Sequence, residues 1–205
     1  MSSDTLGKEH FQEAYEGKAP WNIGRPQKVF VQAADQVTGS ILDAGCGTGE
    51  NALFFAERGH KVTGIDFLEK PIALARQKAQ RRGLQATFLV MDALALSEIP
   101  EQFDSVIDCG LFHVFSDEYR ARYVTALASV LRPGGRVFLH CFSDKEPPGQ
   151  GPRRVSQQEL HDAFAQGWQV ESIREARIEI QTDLEGVQFS EGGPFAWFCV
   201  IRKSA

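Results

Sequence analysis

The chain has 205 residues, 42% hydrophobic and 24% charged, which suits a single domain around one core. Its formal net charge of −5 argues against a nucleic-acid partner, which calls for a basic surface to displace counterions. No apolar stretch approaches the roughly 20 residues of a membrane span, and the polar amino terminus, Met1 to His10, carries no signal-peptide core; the expectation is a cytoplasmic protein with no membrane partner.

In chain order, Lys8–Gly17 and Gln27–Val37 are predicted as helices, with Pro20–Pro26 irregular between them. Ser40–Ala44 is a short apolar run, Thr48–Arg58 a helix stopped by Gly59, and Lys61–Asp66 a second strand. Glu69–Arg82 is predicted as a helix, with Gly83 as its carboxyl-terminal cap. Ala86–Met91 and Phe103–Cys109 read as strands. Ser116 is placed to cap a helix over 117–131, with Asp117 and Glu118 in its first turn. Pro133-Gly134-Gly135 is expected to end that helix and turn into a strand at Arg136–Phe142. The Pro- and Gly-rich stretch 143–154 is a loop. Ser156-Gln157-Gln158-Glu159 matches a capping box for a helix to about Gln166. Two longer β-like runs close the chain, Gln169–Gln181 and Phe195–Arg202, with no helix between them, which predicts an antiparallel pair at a sheet edge. Strands alternating with helices before that imply right-handed βαβ units and a parallel sheet. The unclustered cysteines at 46, 109, 141 and 199 are read as buried small hydrophobes. No metal site is assigned, since no carboxylate triad for a cation is visible.

The chemistry-bearing motif is Asp43-Ala44-Gly45-Cys46-Gly47-Thr48-Gly49, a strand that runs through a glycine turn into a helix. Glycines there permit sharp backbone angles and leave no Cβ to block a ligand. The spacing is G-x-G-x-G, where a dinucleotide turn has G-x-G-x-x-G. The acid Asp43 before it would repel a pyrophosphate and suits a ligand carrying an ammonium group. Asp66 ends the next strand roughly 20 residues on, where an acid holds ribose hydroxyls. Met91-Asp92-Ala93 closes the third strand, placed to read an adenine amino group.

Taken with Leu131-Arg132-Pro133-Gly134-Gly135, these motifs resemble class I S-adenosylmethionine-dependent methyltransferases, most strongly over 40–142. The resemblance implies a Rossmann-like α/β fold: a seven-stranded, mostly parallel sheet, last strand antiparallel, helices on both faces. It implies S-adenosyl-L-methionine as cofactor. It puts Asp43 and the backbone of Gly45 and Gly47 at the methionine moiety, Asp66 at the ribose and Phe67 on the adenine. Met91, Asp92 and Ala93 would meet the adenine, and Gly110 and Leu111 would flank the donor methyl. Ala19-Pro20-Trp21-Asn22-Ile23-Gly24-Arg25 resembles the Pro-Trp-Asp-x-Gly-Arg segment of thiopurine and halide/thiol methyltransferases, with Asn22 in place of Asp. That implies a lid in which Trp21 and Arg25 contact the cofactor. Phe11 and Tyr15 also fit that subgroup's amino-terminal pattern, and Tyr15 is taken as an acceptor contact.

The methyl acceptor is expected beyond the carboxyl ends of the strands. Phe112 and Phe115 would line its pocket, His113 between them would remove a proton, and Arg154 would attract an anionic acceptor. The division of labour is 1–39 as lid, 40–142 as cofactor core and 143–205 as acceptor loop, helix and edge strands. With so little chain left for recognition, the acceptor is expected to be small, an aromatic or heteroaromatic hydroxyl, a thiol or a similar soft nucleophile, handled by a monomer or homodimer. An NAD-dependent oxidoreductase and a non-catalytic S-adenosylmethionine-binding sensor remain alternatives.

Overall fold

A computed structural model describes residues 7–149, 151–181 and 189–204. Part of the polar amino terminus read above, Met1 to Leu6, lies outside them, as does Gln150 of the 143–154 loop. Among the described residues no helix is long and apolar enough to cross a membrane.

Seven strands form one sheet: β1 Ile41–Ala44, β2 Val62–Asp66, β3 Thr87–Val90, β4 Phe103–Cys109, β5 Leu131–Phe142, β6 Trp168–Arg177 and β7 Phe195–Lys203. Their order is β3-β2-β1-β4-β5-β7-β6. The pairs from β3 to β5 are parallel, and β7 runs antiparallel to both β5 and β6. The central strands explain themselves. Every residue of β1 and β2 is buried, as a parallel strand covered on both faces must be.

Among the described residues six α-helices surround the sheet: α1 Lys8–Glu16, α2 Lys28–Gln32, α3 Glu50–Glu57, α4 Glu69–Arg82, α5 Asp117–Val130 and α6 Gln157–Ala163. Val29 and Phe30 of α2, Leu53 and Phe55 of α3 and Ile72 and Ala75 of α4 pack in one cluster with Ile41 and Ile107 of the sheet. Tyr123, Val124 and Leu127 of α5 and Leu160 of α6 pack in another with Leu42, Val106 and Leu139. Alternate sheet residues thus feed opposite faces, and each face carries its own apolar layer. Local signals set the helix ends. Gly83 is left-handed at φ +67° after α4, and Ser156 and Glu159 form a reciprocal capping box on α6.

Several boundaries differ from expectation. The helix expected over 27–37 is α2 followed by a 3-10 turn at Ala34–Gln36. The Pro133-Gly134-Gly135 turn lies inside β5, which starts at Leu131 directly after α5 and is accommodated by a register shift against β4. The run expected as strand to Gln181 keeps ladder pairing only to Arg177; beyond it, residues 178–181 leave the sheet and turn toward the amino-terminal segment.

Moving from β3 to β4 carries the chain across β2 and β1. β1 and β4 are therefore neighbours whose connections leave in opposite directions, and a crevice opens at their carboxyl ends, where doubly wound sheets bind ligands.

Candidate active site

The turn after β1 is a backbone cradle. Gly45, Gly47 and Gly49 have φ of +70°, +53° and +82°, a region that L side chains rarely adopt. Space is tight as well: a Cβ on Gly45 would lie 3.2 Å from Leu111, and one on Gly47 would lie 2.7 Å from the Tyr15 hydroxyl, which would have to shift. Asp43 lies behind this cradle, 1% exposed, and its two carboxylate oxygens have no hydrogen-bond partner among the described residues. Burial pushes its carboxyl up to about 8, and the Ala52 N–H, outside hydrogen-bonding geometry, opposes this only weakly. An unpartnered buried carboxylate is costly until a donor or cation meets it. The bare glycine backbone and the orphaned acid fit a ligand with a cationic amine. Asp43 is not itself on the cavity wall, so the direct contact expected of it is not what the geometry shows.

Asp66, at the end of β2, is on the wall. Its Oδ2 accepts the Gly47 N–H at 3.1 Å and its Oδ1 the Leu68 N–H at 3.0 Å. Burial raises its pKa, and these amides oppose the rise. The carboxylate is thus fixed by main chain at both oxygens, with lone pairs left over for hydroxyl donors. Phe67, Met91, Asp92 and Ala93 line the same end. Asp92 also caps the following 3-10 turn through the Leu94 N–H at 2.9 Å.

The amino-terminal segment closes over this end. The Trp21 indole N–H donates to the Tyr15 hydroxyl at 3.0 Å, and that hydroxyl lies against Gly47, so Tyr15, expected as an acceptor contact, stands at the glycine turn. Phe11 joins them, 5.6 Å from Trp21 and 5.7 Å from Phe67 between ring centres. Arg25, expected as a cofactor contact, reaches the cavity rim, and its guanidinium also pairs with Glu179 at 2.8 Å.

At the end of β4, the buried Asp108 shapes the next turn. It accepts hydrogen bonds from the Leu111 N–H (2.9 Å), the Phe112 N–H (3.3 Å) and the Tyr123 hydroxyl (2.9 Å). Burial raises its carboxyl to about 6, with those donors pulling it back. Gly110, at φ +84°, and Leu111 then lie on the cavity wall beside the glycine cradle.

His113 also lines the cavity, but its chemistry is not that of the base expected. Its Nδ1 accepts the main-chain N–H of Phe142 at 2.9 Å. That bond uses the ring's one lone pair and leaves the proton on Nε2. Burial, aided by His140, Arg120 and Arg154, pushes its pKa down to about 3. His113 is therefore a neutral Nε2–H donor at the cavity, with no nitrogen free to take a proton.

Two further expectations are corrected. Phe112 is fully buried, stacked on Phe164 at 5.8 Å with the Arg120 guanidinium 4.6 Å from its centre; it belongs to the core and not to the wall. Phe115 does line the wall. The two are three residues apart on a 3-10 turn and would eclipse if the turn continued, but Phe115 leaves it at φ −86° and ψ 142°. Arg154 donates to the carbonyls of Pro152 and Pro147, both at 2.8 Å, and braces its own loop.

All these walls enclose one cavity of about 820 Å³, near the upper end of the ~300–1,000 Å³ seen for small-ligand sites. Its far end is apolar, lined by Val114, Phe115, Phe142, Ile178, Ile180 and Phe189. Phe142 and the last three were not legible as site residues, because they lie far along the chain from the glycine turn. Asn51 was within reach of the sequence, one residue past the helix start that the glycines mark.

Residues 41–135 match the family described as "Methyltransferase domain". A 2-heptyl-1-hydroxyquinolin-4(1H)-one methyltransferase of Mycobacteroides abscessus is 34% identical over 199 residues, which span 91% of this chain and 86% of that relative. The chain is a class I S-adenosylmethionine-dependent methyltransferase. A protein structure solved in work on the conversion of a disulfide bond into a thioacetal group during echinomycin biosynthesis is similar to this methyltransferase along 97% of this chain and 93% of that one. The TM-score is 0.84 and the identity 36%. The methyltransferase shares its fold with Burkholderia thailandensis 1,6-didemethyltoxoflavin-N1-methyltransferase bound to S-adenosylhomocysteine, at a TM-score of 0.67 and 21% identity, over 96% of this chain and 84% of that one. S-adenosylmethionine is the cofactor, and the dinucleotide alternative falls away.

Proposed function

We propose that this methyltransferase acts on a compact, apolar small molecule, an aromatic or heteroaromatic hydroxyl or a thiol, that loses its proton without help from the protein. The observation that carries this reading is His113: the imidazole beside Gly110 presents an N–H to the cavity, and its other nitrogen is already occupied by Phe142. An acceptor fits this site if it ionises by itself, as thiols and acidic hydroxyls do near neutral pH, and offers an oxygen or other lone pair to that N–H. The apolar wall of Phe115, Phe142, Ile178 and Phe189 suits the ring. The Mycobacteroides abscessus relative, named for a 1-hydroxyquinolin-4-one, and the relative from thioacetal formation support a heteroaromatic hydroxyl and a sulfur acceptor respectively.

When bound, S-adenosylmethionine supplies an electrophilic methyl group on a sulfonium. Around it, Asp66 would hold the ribose hydroxyls, Phe67 with Met91, Asp92 and Ala93 the adenine, and the Gly45–Gly47 backbone with Asp43 behind it the amino-acid end. Tyr15 and Trp21 would keep water from that end. Gly110 and Leu111 would fix the line of approach, so that the protein's contribution is alignment and exclusion of water.

A panel of 1-hydroxyquinolin-4-ones, phenols and thiols, read by S-adenosylhomocysteine release, tests the reading. Turnover of at least one of these acceptors, with no detectable turnover of aliphatic alcohols of the same size, is the expected result. Methylation confined to folded proteins or nucleic acids would overturn it.

A further inference from the structure

Beyond Arg177 the chain runs as a two-sided segment. Ile178 and Ile180 line the apolar end of the cavity, packed with Phe142 and Phe189. The residues between and after them, Glu179 and Gln181, hold the amino-terminal lid. The buried Gln27 side chain pairs with the Glu179 main chain as a strand would, accepting its N–H at 2.9 Å and donating to its carbonyl at 2.7 Å. The Glu179 carboxylate accepts the Lys28 N–H and the Arg25 guanidinium, both at 2.8 Å. The Gln181 N–H donates to the Pro20 carbonyl at 2.9 Å, and its side-chain amide donates to the carbonyls of Ala19 (3.2 Å) and Asn22 (2.6 Å). On its other side the same lid is tied to the glycine-turn helix: the Gln27 N–H donates to the Asn51 Oδ1 at 3.0 Å, and the Thr48 hydroxyl donates to the Asn22 Oδ1 at 2.9 Å.

We propose that residues 178–181 couple the two halves of the cavity, so that acceptor and cofactor each raise the other's affinity, with Gln27 and Gln181 as the positioning residues that transmit the coupling. The proposal rests on the reading that the acceptor sits against Ile178 and Ile180. The physical basis is one element with two faces. A ligand under the lid favours the docked lid, the docked lid holds residues 178–181 through Gln27 and Gln181, and the held segment presents a formed apolar wall. Such coupling is reciprocal by thermodynamic necessity. Contacts of this length along the chain also explain why the link has no counterpart in the local sequence pattern.

The first test needs no acceptor. Amide hydrogen exchange is followed in the whole protein with and without S-adenosylhomocysteine. Protection at 178–181 is expected to rise at least about fivefold on binding, as for a locally opening element stabilised by a ligand. In Gln181→Glu, which keeps the size of the side chain but cannot donate to Ala19 and Asn22, the glycine turn keeps its added protection and 178–181 loses it. Gln27→Glu, which removes the donor to the Glu179 carbonyl, should behave the same way and guards against a folding defect in either variant. Unchanged exchange at 178–181 in the wild type, or wild-type behaviour in both variants, would overturn the proposal. The second test adds 2-heptyl-1-hydroxyquinolin-4(1H)-one as probe: it is expected to tighten S-adenosylhomocysteine binding about tenfold in the wild type and less than about twofold in Gln181→Glu. Binding of the probe with no change in that affinity also overturns the proposal. If neither this probe nor any acceptor from the panel binds, the acceptor reading falls, and the exchange result decides the coupling by itself.

Discussion

The main-chain N–H of Phe142 donates to Nδ1 of His113 at 2.9 Å, and this one bond sets the protonation, orientation and role of the imidazole on the cavity wall. A ring held this way exposes a donor. On the proposed reading, His113→Ala deletes a neutral hydrogen bond to the acceptor, worth about 0.5–1.5 kcal/mol, and should raise the acceptor KM about two- to tenfold with kcat nearly unchanged. A general base at this position would instead lower kcat by about 10²–10⁴. His113→Gln should share the wild-type pH profile of kcat/KM, because His113, pushed down to about 3, does not titrate in the assay range. Steady-state kinetics from pH 5.5 to 8.5 separate the two roles.

The glycine cradle makes a sharper steric prediction. Gly47→Ala places a left-handed φ of +53° on a residue with a side chain, at about 1–2 kcal/mol, and drives its Cβ to 2.7 Å from the Tyr15 hydroxyl. The next Tyr15 atom, the ring carbon, is at 3.9 Å, an ordinary contact. Gly47→Ala should therefore weaken S-adenosylhomocysteine binding by more than about tenfold, and adding Tyr15→Phe should restore part of that loss. Calorimetric titration of the two single variants and the double variant gives the coupling directly; additive losses would show that the hydroxyl is not the obstacle.

Asp43 predicts a pH dependence of stability in the cofactor-free protein. Its carboxyl is raised to about 8 in the fold, with burial as the largest cause, against about 3.9 when unfolded. The folded state then binds the proton more tightly. The resulting stabilisation is complete below pH 4 and is lost as pH climbs through 8. Asp43→Asn removes this dependence. Urea denaturation at pH 5 and pH 9 should show the variant gaining on the wild type by a few kcal/mol over that interval; an equal difference at both pH values would mean that Asp43 is already ionised in the fold.

Phe112 and Phe115 should separate stability from recognition. Phe112→Ala empties a fully buried site between Phe164 and Arg120 and should cost about 3–5 kcal/mol of stability. Phe115 lies on the cavity wall, so Phe115→Ala should raise the acceptor KM by more than it lowers the unfolding midpoint. Thermal denaturation beside acceptor kinetics checks both.

The sequence by itself determined the scaffold of the site. The G-x-G-x-G turn, the acid behind it and Asp66 at the end of the next strand are local signals, because glycine torsions and strand ends are set by neighbours in the chain. The alternation of strands and helices gave the parallel sheet, and caps such as Ser156 and Gly83 marked where helices start and stop. Tertiary structure alone decided what the polar and aromatic residues do. Which side of the chain Phe115 faces depends on where a 3-10 turn stops. The role of His113 depends on an amide in β5. Arg25 finds Glu179, and Gln27 finds the main chain of the same residue, across about three-quarters of the sequence. Periodicity and spacing report a residue's own element. Partners that meet only when the sheet closes leave no trace in either, since hydrogen-bond direction and side-chain exposure are fixed by packing between distant segments.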